Sequence, residues 1–288
     1  MAITQARPAH GGRLGAARAP WPRRAALPVG IGVASALVDG IGAGIPSYWG
    51  DEAASVLSGT RPLPSLLDEL GAVDAVHGVY YMLLHVWMWA FGTGEWATRA
   101  LSVIAIGALA AGVVVLGRMW FERSTAVVAG LLVAVIPRAS SLAIETRGYA
   151  ITAAMAVWLV VLFTHLARQE AARRRWVLFG VLAGVCSWFF LYLLLVPLAL
   201  CAVLLVRPKW TQAPHRGPVR ADMLVAIGSA LIAALPILVL ATLQRSQVSF
   251  LSHRGYLSPK GVLITPWFSH GVVAMVMWSP SSSERSSP

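Results

Sequence analysis

Val79-Tyr80-Tyr81-Met82-Leu83-Leu84-His85-Val86-Trp87-Met88-Trp89-Ala90-Phe91 is the stretch on which the reading of this chain turns. It is apolar enough for a bilayer core but too short to cross one unaided, since a spanning helix needs about 20 apolar residues. If it crossed, Arg118 and Arg123 would lie opposite the basic N-terminus (Arg7, Arg13, Arg18, Arg23, Arg24), and so would Arg168, Arg173, Arg174 and Arg175. Basic loops of membrane proteins collect in the cytosol. Laid along the outer interface instead, the run lets both clusters join the N-terminus there. Tyr80, Tyr81, Trp87 and Trp89 suit that position, because such rings favour the headgroup region.

Working outward, further apolar runs lie near 27–45, 100–121, 125–144, 149–167, 176–206 and 221–243. The run 176–206 is too long for one ordinary helix and is read as two short ones turning near Phe190. That turn returns Arg207, Lys209, Arg216 and Arg220 to the cytosol. The expected fold class is therefore all-α: a polytopic transmembrane helical protein of about seven spans, with an interfacial helix in its first outer loop. Composition agrees: 57% of residues are hydrophobic and 12% charged, against about 25% charged in soluble domains.

Residues 1–26 read as a disordered basic cytosolic tail, 27–278 as the transmembrane domain and 279–288 as a disordered Ser-rich tail. The first outer loop spans 46–99 and a later one 244–266. The run 27–45 is long for a signal-peptide core and no small-residue cleavage site follows it, so it reads as an uncleaved first span. Cys186 and Cys201 sit in apolar segments and read as small apolar side chains.

The net charge of +11 is spread over membrane flanks rather than gathered on one soluble face, which excludes nucleic acid as a partner. The carboxylates gather outside: Asp51, Glu52, Asp68, Glu69, Asp74, Glu95 and Glu145. Asp51 and Glu52 directly follow the first span and are expected to open a short helix, whose N-terminus favours negative charge.

A set of short motifs follows in order. They are Trp49-Gly50-Asp51-Glu52; Asp74, His77, Tyr80, Tyr81 and His85; Phe91-Gly92 with Glu95 and Arg99; Gly117-Arg118; and Glu145-Thr146-Arg147-Gly148-Tyr149. Over about residues 27–250 this arrangement resembles the polytopic GT-C glycosyltransferases that use polyprenyl-phosphate sugars, within them the bacterial relatives of protein O-mannosyltransferases and aminoarabinose transferases. Two departures stand out. Gly78-Val79 occupies the place of a frequent proline pair, and the chain is much shorter than the family norm, which reads as a truncated or fragmentary member.

The resemblance implies an extracytoplasmic membrane enzyme of the plasma membrane, with a cytosolic N-terminus. It would move a mannose-like sugar, with inversion, from a polyprenyl-phosphate donor to a hydroxyl on a protein, lipid or glycan acceptor. Asp51 is then the general base, which must lie within hydrogen-bond reach of the attacking oxygen. Glu52 orients substrate or binds a divalent metal ion, if one is used; no cofactor is otherwise implied. Asp74, His77, Tyr81, Arg99, Glu145, Arg147 and Tyr149 are the implied substrate-binding residues. Arg99 and Arg147 suit the leaving phosphate because a guanidinium matches its geometry bidentately, and Arg138, Arg245, Arg254 and Lys260 are rivals for that role.

His77 and His85 stand eight positions apart, about 80° around one helix, which argues against a compact two-histidine metal site. His85 reads as a packing residue with one satisfied hydrogen bond. Asp39, inside the first span, is either a functional intramembrane acid or one reaching the interface. Gln244 and Gln247 resemble the start of the family's later outer loop, which implies that they face the substrate cleft. Two other readings remain open: an inactive fragment or subunit of a glycosylation system, and a transporter, which requires mid-membrane ionisable groups and an internal repeat.

Overall fold

The computed structural model describes residues 21–169, 171–206 and 217–247. The expectations for 1–20, Arg207, Lys209, Arg216, Arg254, Lys260, most of the later outer loop and the Ser-rich tail lie outside the described residues. Within them the chain is helical and holds no strand.

Helix α1 (Trp21–Gly40) leads through tight turns into the connection 46–94. There α2 (Gly50–Thr60), α3 (Leu63–Ala72), a 3-10 turn (Ala75–His77) and α4 (Gly78–Phe91) succeed one another. Each has a local cause. Glu52 reaches back to the Trp49 N–H at 3.4 Å and so closes the start of α2. A proline stands in the first turn of α3, where its missing N–H costs nothing. Gly92, at φ 88°, ends α4 in a conformation that favours glycine.

The short apolar run that decided the topology is thus one helix, α4. Its inner face carries Tyr80, Tyr81, Leu84 and Met88 onto Leu66 of α3. Its outer face leaves Val86, Trp89 and Phe91 exposed. The two tyrosines therefore point into the protein, not at headgroups as expected.

Helix α5 (Glu95–Trp120) is the central element, packed by α1, by α6 (Arg123–Val133) and by α8 (Tyr149–Arg168). The α1–α5 crossing is close: a Cβ on Gly32 would meet the Gly107 carbonyl oxygen at 2.6 Å, and one on Gly107 the Gly32 oxygen at 2.7 Å. Small residues let helix backbones approach where lipid supplies no hydrophobic drive. The run 125–144 is not one straight helix. α6 and α7 (Pro137–Ala143) meet at 55°, with Pro137 opening the second piece. Asp39 accepts hydrogen bonds from Ser35 (3.2 Å) and from Ser140 of α7 (2.8 Å), so this buried acid fastens the bent α6–α7 pair to α1.

The second half is built on α9 (Arg173–Cys186) against α11 (Gly217–Leu243), with α10 (Leu195–Val206) alongside α8. The run 176–206 breaks near Phe190, between α9 and a 3-10 turn (Leu191–Leu194). Trp176, Phe179, Phe163 and Ile237 lie in the core here.

Among the described residues three helices are long and apolar enough to cross a membrane: Glu95–Trp120, Tyr149–Arg168 and Ala221–Leu243. A fourth span exists if the bent α6–α7 pair is counted as one. The rest of the expected seven are not confirmed among the described residues, where Ala25–Gly40 and Leu191–Val203 are apolar but short.

Candidate functional site

Asp51 and Glu52 are consecutive in α2 but face different surroundings. The Glu52 side chain is 1% exposed. Its Oε1 accepts from Arg99 Nε (2.9 Å) and from the Thr146 backbone N–H (2.6 Å). Its Oε2 accepts from Arg99 Nη2 at 2.8 Å and from the Trp49 N–H. Burial alone would raise its pKa, but the hydrogen bonds from Arg99 and Thr146 outweigh it and hold the carboxyl below the usual glutamate range.

Arg99 is equally committed. Nη1 donates to the carbonyls of Ala43 (2.7 Å) and Pro46 (2.6 Å), and Nη2 also reaches Ser47 O at 3.4 Å. With Nε and Nη2 on Glu52, all five N–H donors of a guanidinium are used. Two expectations are corrected here. Arg99 has no donor left for a phosphate, and Glu52 has no free lone pair for substrate or metal. Together they form a buried knot that ties α2, α5, the end of the first span and the 145–149 turn. Thr98 and Thr146 (3.0 Å) and Tyr48 and Thr98 (2.9 Å) extend it, and Ser102 donates to the Glu145 carbonyl at 2.6 Å.

The knot places the neighbouring residues. With Glu52 turned inward, the Asp51 side chain is left 54% exposed, 3.9 Å from Arg147. Arg147 is largely enclosed. Nη1 reaches Ser55 Oγ (3.2 Å) and the Asp51 carbonyl (3.4 Å), Nη2 reaches the Tyr149 hydroxyl (3.3 Å), and the guanidinium lies over the Tyr149 ring.

Arg147 and Tyr149 open onto a small cleft with His77, Tyr80, Tyr81, Gly148, Phe189 and Phe190. The first outer loop, the 145–149 turn and the break after α9 thus meet at one end of the bundle. Four implied substrate-binding residues line this cleft: His77, Tyr81, Arg147 and Tyr149. Burial holds the His77 imidazole below its usual pKa, and the Arg147 charge adds to this, so the ring is neutral near pH 7. The Tyr81 phenol is pushed up to about 12 by burial and donates to Asp74 Oδ2 at 3.3 Å. Asp74 therefore holds Tyr81. Glu145 stands beside the cleft, half-buried, its carboxyl raised chiefly by burial. His85 makes one bond, Nδ1 with the Gly59 carbonyl at 2.8 Å, and staples α4 to α2.

Tyr80, Phe189 and Phe190 are lining residues that the sequence did not assign to the site. Tyr80 is 2% exposed, its ring packs on Gly148, and its hydroxyl has no hydrogen-bond partner among the described residues. Buried polar atoms nearly always find one. An orphan phenol on the wall of a cleft is what a bound group or water would complete. Its signal in sequence was only the Tyr-Tyr pair, which does not say which ring ends unpaired.

Among the described residues no group of three or more His, Cys, Asp or Glu side chains comes together to hold a metal ion. With Glu52 consumed by Arg99, the residues present do not make a cage for the divalent ion that the resemblance allows, and no chemical step is routed through one. The arrangement offers an exposed carboxylate beside a fixed guanidinium, at the mouth of an aromatic cleft. No protein-family model, curated protein or solved structure matches this chain.

Proposed function

We propose that this chain is a membrane glycosyltransferase working at the extracytoplasmic face, which moves a sugar from a polyprenyl-phosphate donor to an acceptor hydroxyl. The observation that carries the reading is that Arg147, Tyr149, His77 and Tyr81 line one cleft, with the Asp51 carboxylate 3.9 Å from Arg147. They come from segments nearly a hundred positions apart, and the orphan Tyr80 hydroxyl lies on the same wall.

In this mechanism the acceptor hydroxyl approaches the anomeric carbon beside Asp51. Its proton passes to the carboxylate as the new C–O bond forms and the bond from the anomeric carbon to the phosphate oxygen breaks. Inversion needs attack from the side opposite the phosphate, so in this mechanism Asp51 releases its 3.9 Å ion pair with Arg147 and the two come to flank the anomeric carbon. The transition state carries oxocarbenium character, which an adjacent anion stabilises. Arg147 takes the growing charge on the departing lipid phosphate through charge-assisted hydrogen bonds. The aromatic walls pack against the sugar ring, and Tyr80 donates to it or to the phosphate. Glu52 and Arg99 touch neither substrate; they are positioning residues that set Asp51 and Arg147.

The topology proposed with this reading puts the cleft outside, the arginine clusters 118–123 and 168–175 in the cytosol, and the chain in the plasma membrane. A lipid-linked donor then enters sideways, its chain staying in the bilayer. The test is transfer from radiolabelled polyprenyl-phosphate mannose in membranes, comparing wild type with Asp51→Asn, which keeps shape and removes the base. Transfer by wild type that falls at least about 100-fold in the variant supports the reading. Equal transfer by both would remove Asp51 as base.

A further inference from the structure

Gln244 and Gln247, expected to face substrate, do something else. Gln244 Oε1 accepts from the Ala75 backbone N–H at 2.9 Å, and its Nε2 donates to the Leu70 carbonyl at 3.0 Å. Gln247 Oε1 accepts from the Asp74 N–H at 3.2 Å, and its Nε2 donates to the Ala72 carbonyl at 3.1 Å. Each primary amide spends both ends on the same short piece of backbone, as an adjoining strand would. Gln244 directly succeeds α11 and Gln247 closes the next turn. The last described segment is thereby fastened to the first outer loop.

The piece they hold is the one that most needs holding. Asp74, at φ 57°, is the one non-glycine residue with positive φ among the described residues. Such a conformation persists where the surroundings over-determine it. The Asp74 turn in its turn sets the wall of the cleft. The 3-10 turn Ala75–His77 delivers His77, and the Asp74 carboxylate receives the Tyr81 hydroxyl. Both backbone N–H groups at the turn, those of Asp74 and Ala75, go to glutamines.

We infer that Gln244 and Gln247 are positioning residues, a two-amide clasp through which the end of α11 fixes the left-handed Asp74 turn and, with it, the His77–Tyr81 wall. The clasp stands on its own geometry; its effect on sugar transfer rests on the proposed glycosyltransferase function.

The test is residue-resolved hydrogen exchange on the full chain in lipid nanodiscs. Wild type is compared with the pair Gln244→Ala/Gln247→Ala and the pair Gln244→Glu/Gln247→Glu. Glutamate keeps an oxygen acceptor for the two amides but sets a second carboxylate oxygen, in place of each donor, against the Leu70 and Ala72 carbonyls. In the alanine pair, exchange at Asp74 and Ala75 should accelerate about tenfold or more. In the glutamate pair the acceleration should be smaller, since the acceptors are kept, with α5 protected equally in all three. The single variants divide the effect: Gln247→Ala should release Asp74, and Gln244→Ala should release Ala75. Unchanged protection at both amides in the alanine pair overturns the clasp, as does equal loss in the alanine and glutamate pairs. In the transfer assay the alanine pair should lower kcat and the glutamate pair restore it. A wild type without transfer would sink the proposed function, while the exchange result would still decide the clasp.

Discussion

Removing the guanidinium at position 99 would leave the Glu52 carboxylate enclosed with no counter-charge. Breaking a buried pair on one side costs about 3–5 kcal/mol, so Arg99→Ala should lower the melting temperature in detergent sharply. Arg99→Lys should rescue little, since a lysine cannot serve Glu52 and three backbone carbonyls at once. The same pair sets a pH dependence. Because the folded Glu52 has a depressed pKa, the unfolded chain takes up its proton first as pH falls. The stabilisation is whole above the ordinary glutamate range and is lost below about pH 5 as the folded value is approached. Melting curves should show this acid loss in wild type and a flatter profile in Glu52→Gln, on a lower baseline. At Tyr80, where the hydroxyl is buried without a partner among the described residues, Tyr80→Phe should leave stability unchanged or slightly raised, because an unsatisfied polar atom is removed. If the cleft binds substrate as proposed, the same change should raise KM for the donor several-fold.

Among the elements, α9 and α11 depend most on small residues. Gly180 sits against the Ala226 carbonyl and Ser229, and Gly184 against Ala230 and Ala233, so one glycine ridge carries the contact. Adding a side chain there forces the backbones apart. Gly184→Val should reduce the yield of folded protein and raise protease sensitivity, whereas Gly50→Ala, where a Cβ meets nothing within 4 Å, should not. The contact matters for the site, because α11 ends in the glutamines that hold the Asp74 turn. The bend between α6 and α7 has a comparable logic. Pro137 ends the regular helix, and the Asp39–Ser140 bond at 2.8 Å replaces what the break loses. Ser140→Ala should cost about 1 kcal/mol, read as a small fall in melting temperature.

For the whole molecule the decisive property is sidedness. Asp68 on α3 and Arg123 at the start of α6 are both exposed. After the native Cys186 and Cys201 are replaced by alanine, Asp68→Cys should react with a membrane-impermeant maleimide on intact cells, and Arg123→Cys only after permeabilisation. The reverse pattern would put the cleft in the cytosol and end the polyprenyl-phosphate reading, since a flipped donor presents its headgroup outside.

Much of the scaffold was legible in one dimension, because it obeys local rules. Apolar length announced α5, α8 and α11 as membrane helices, and the short aromatic run announced α4 as a separate one. The excess length of 176–206 announced a break near Phe190, and Asp51-Glu52 announced the start of α2. Among the described residues three or four of the seven expected spans are confirmed, since a hydropathy run cannot tell a bent or short helix from a crossing one.

The division of labour inside the site was illegible. Asp51 and Glu52 look equivalent in sequence, and only the helix phase of α2, set by packing on α4 and by Arg99 from α5, turns one carboxylate inward and leaves the other in solvent. Tyr80 and Tyr81 divide likewise, one orphaned and one bound to Asp74. Gln244 and Gln247 gave no sign that their partners lay at Leu70–Ala75. Sequence thus determined which segments are helical and apolar, since those preferences are carried within a few turns of chain. Tertiary structure alone decided which polar side chains are spent on holding it together and which stay available, since hydrogen-bond partners are chosen by distance in space.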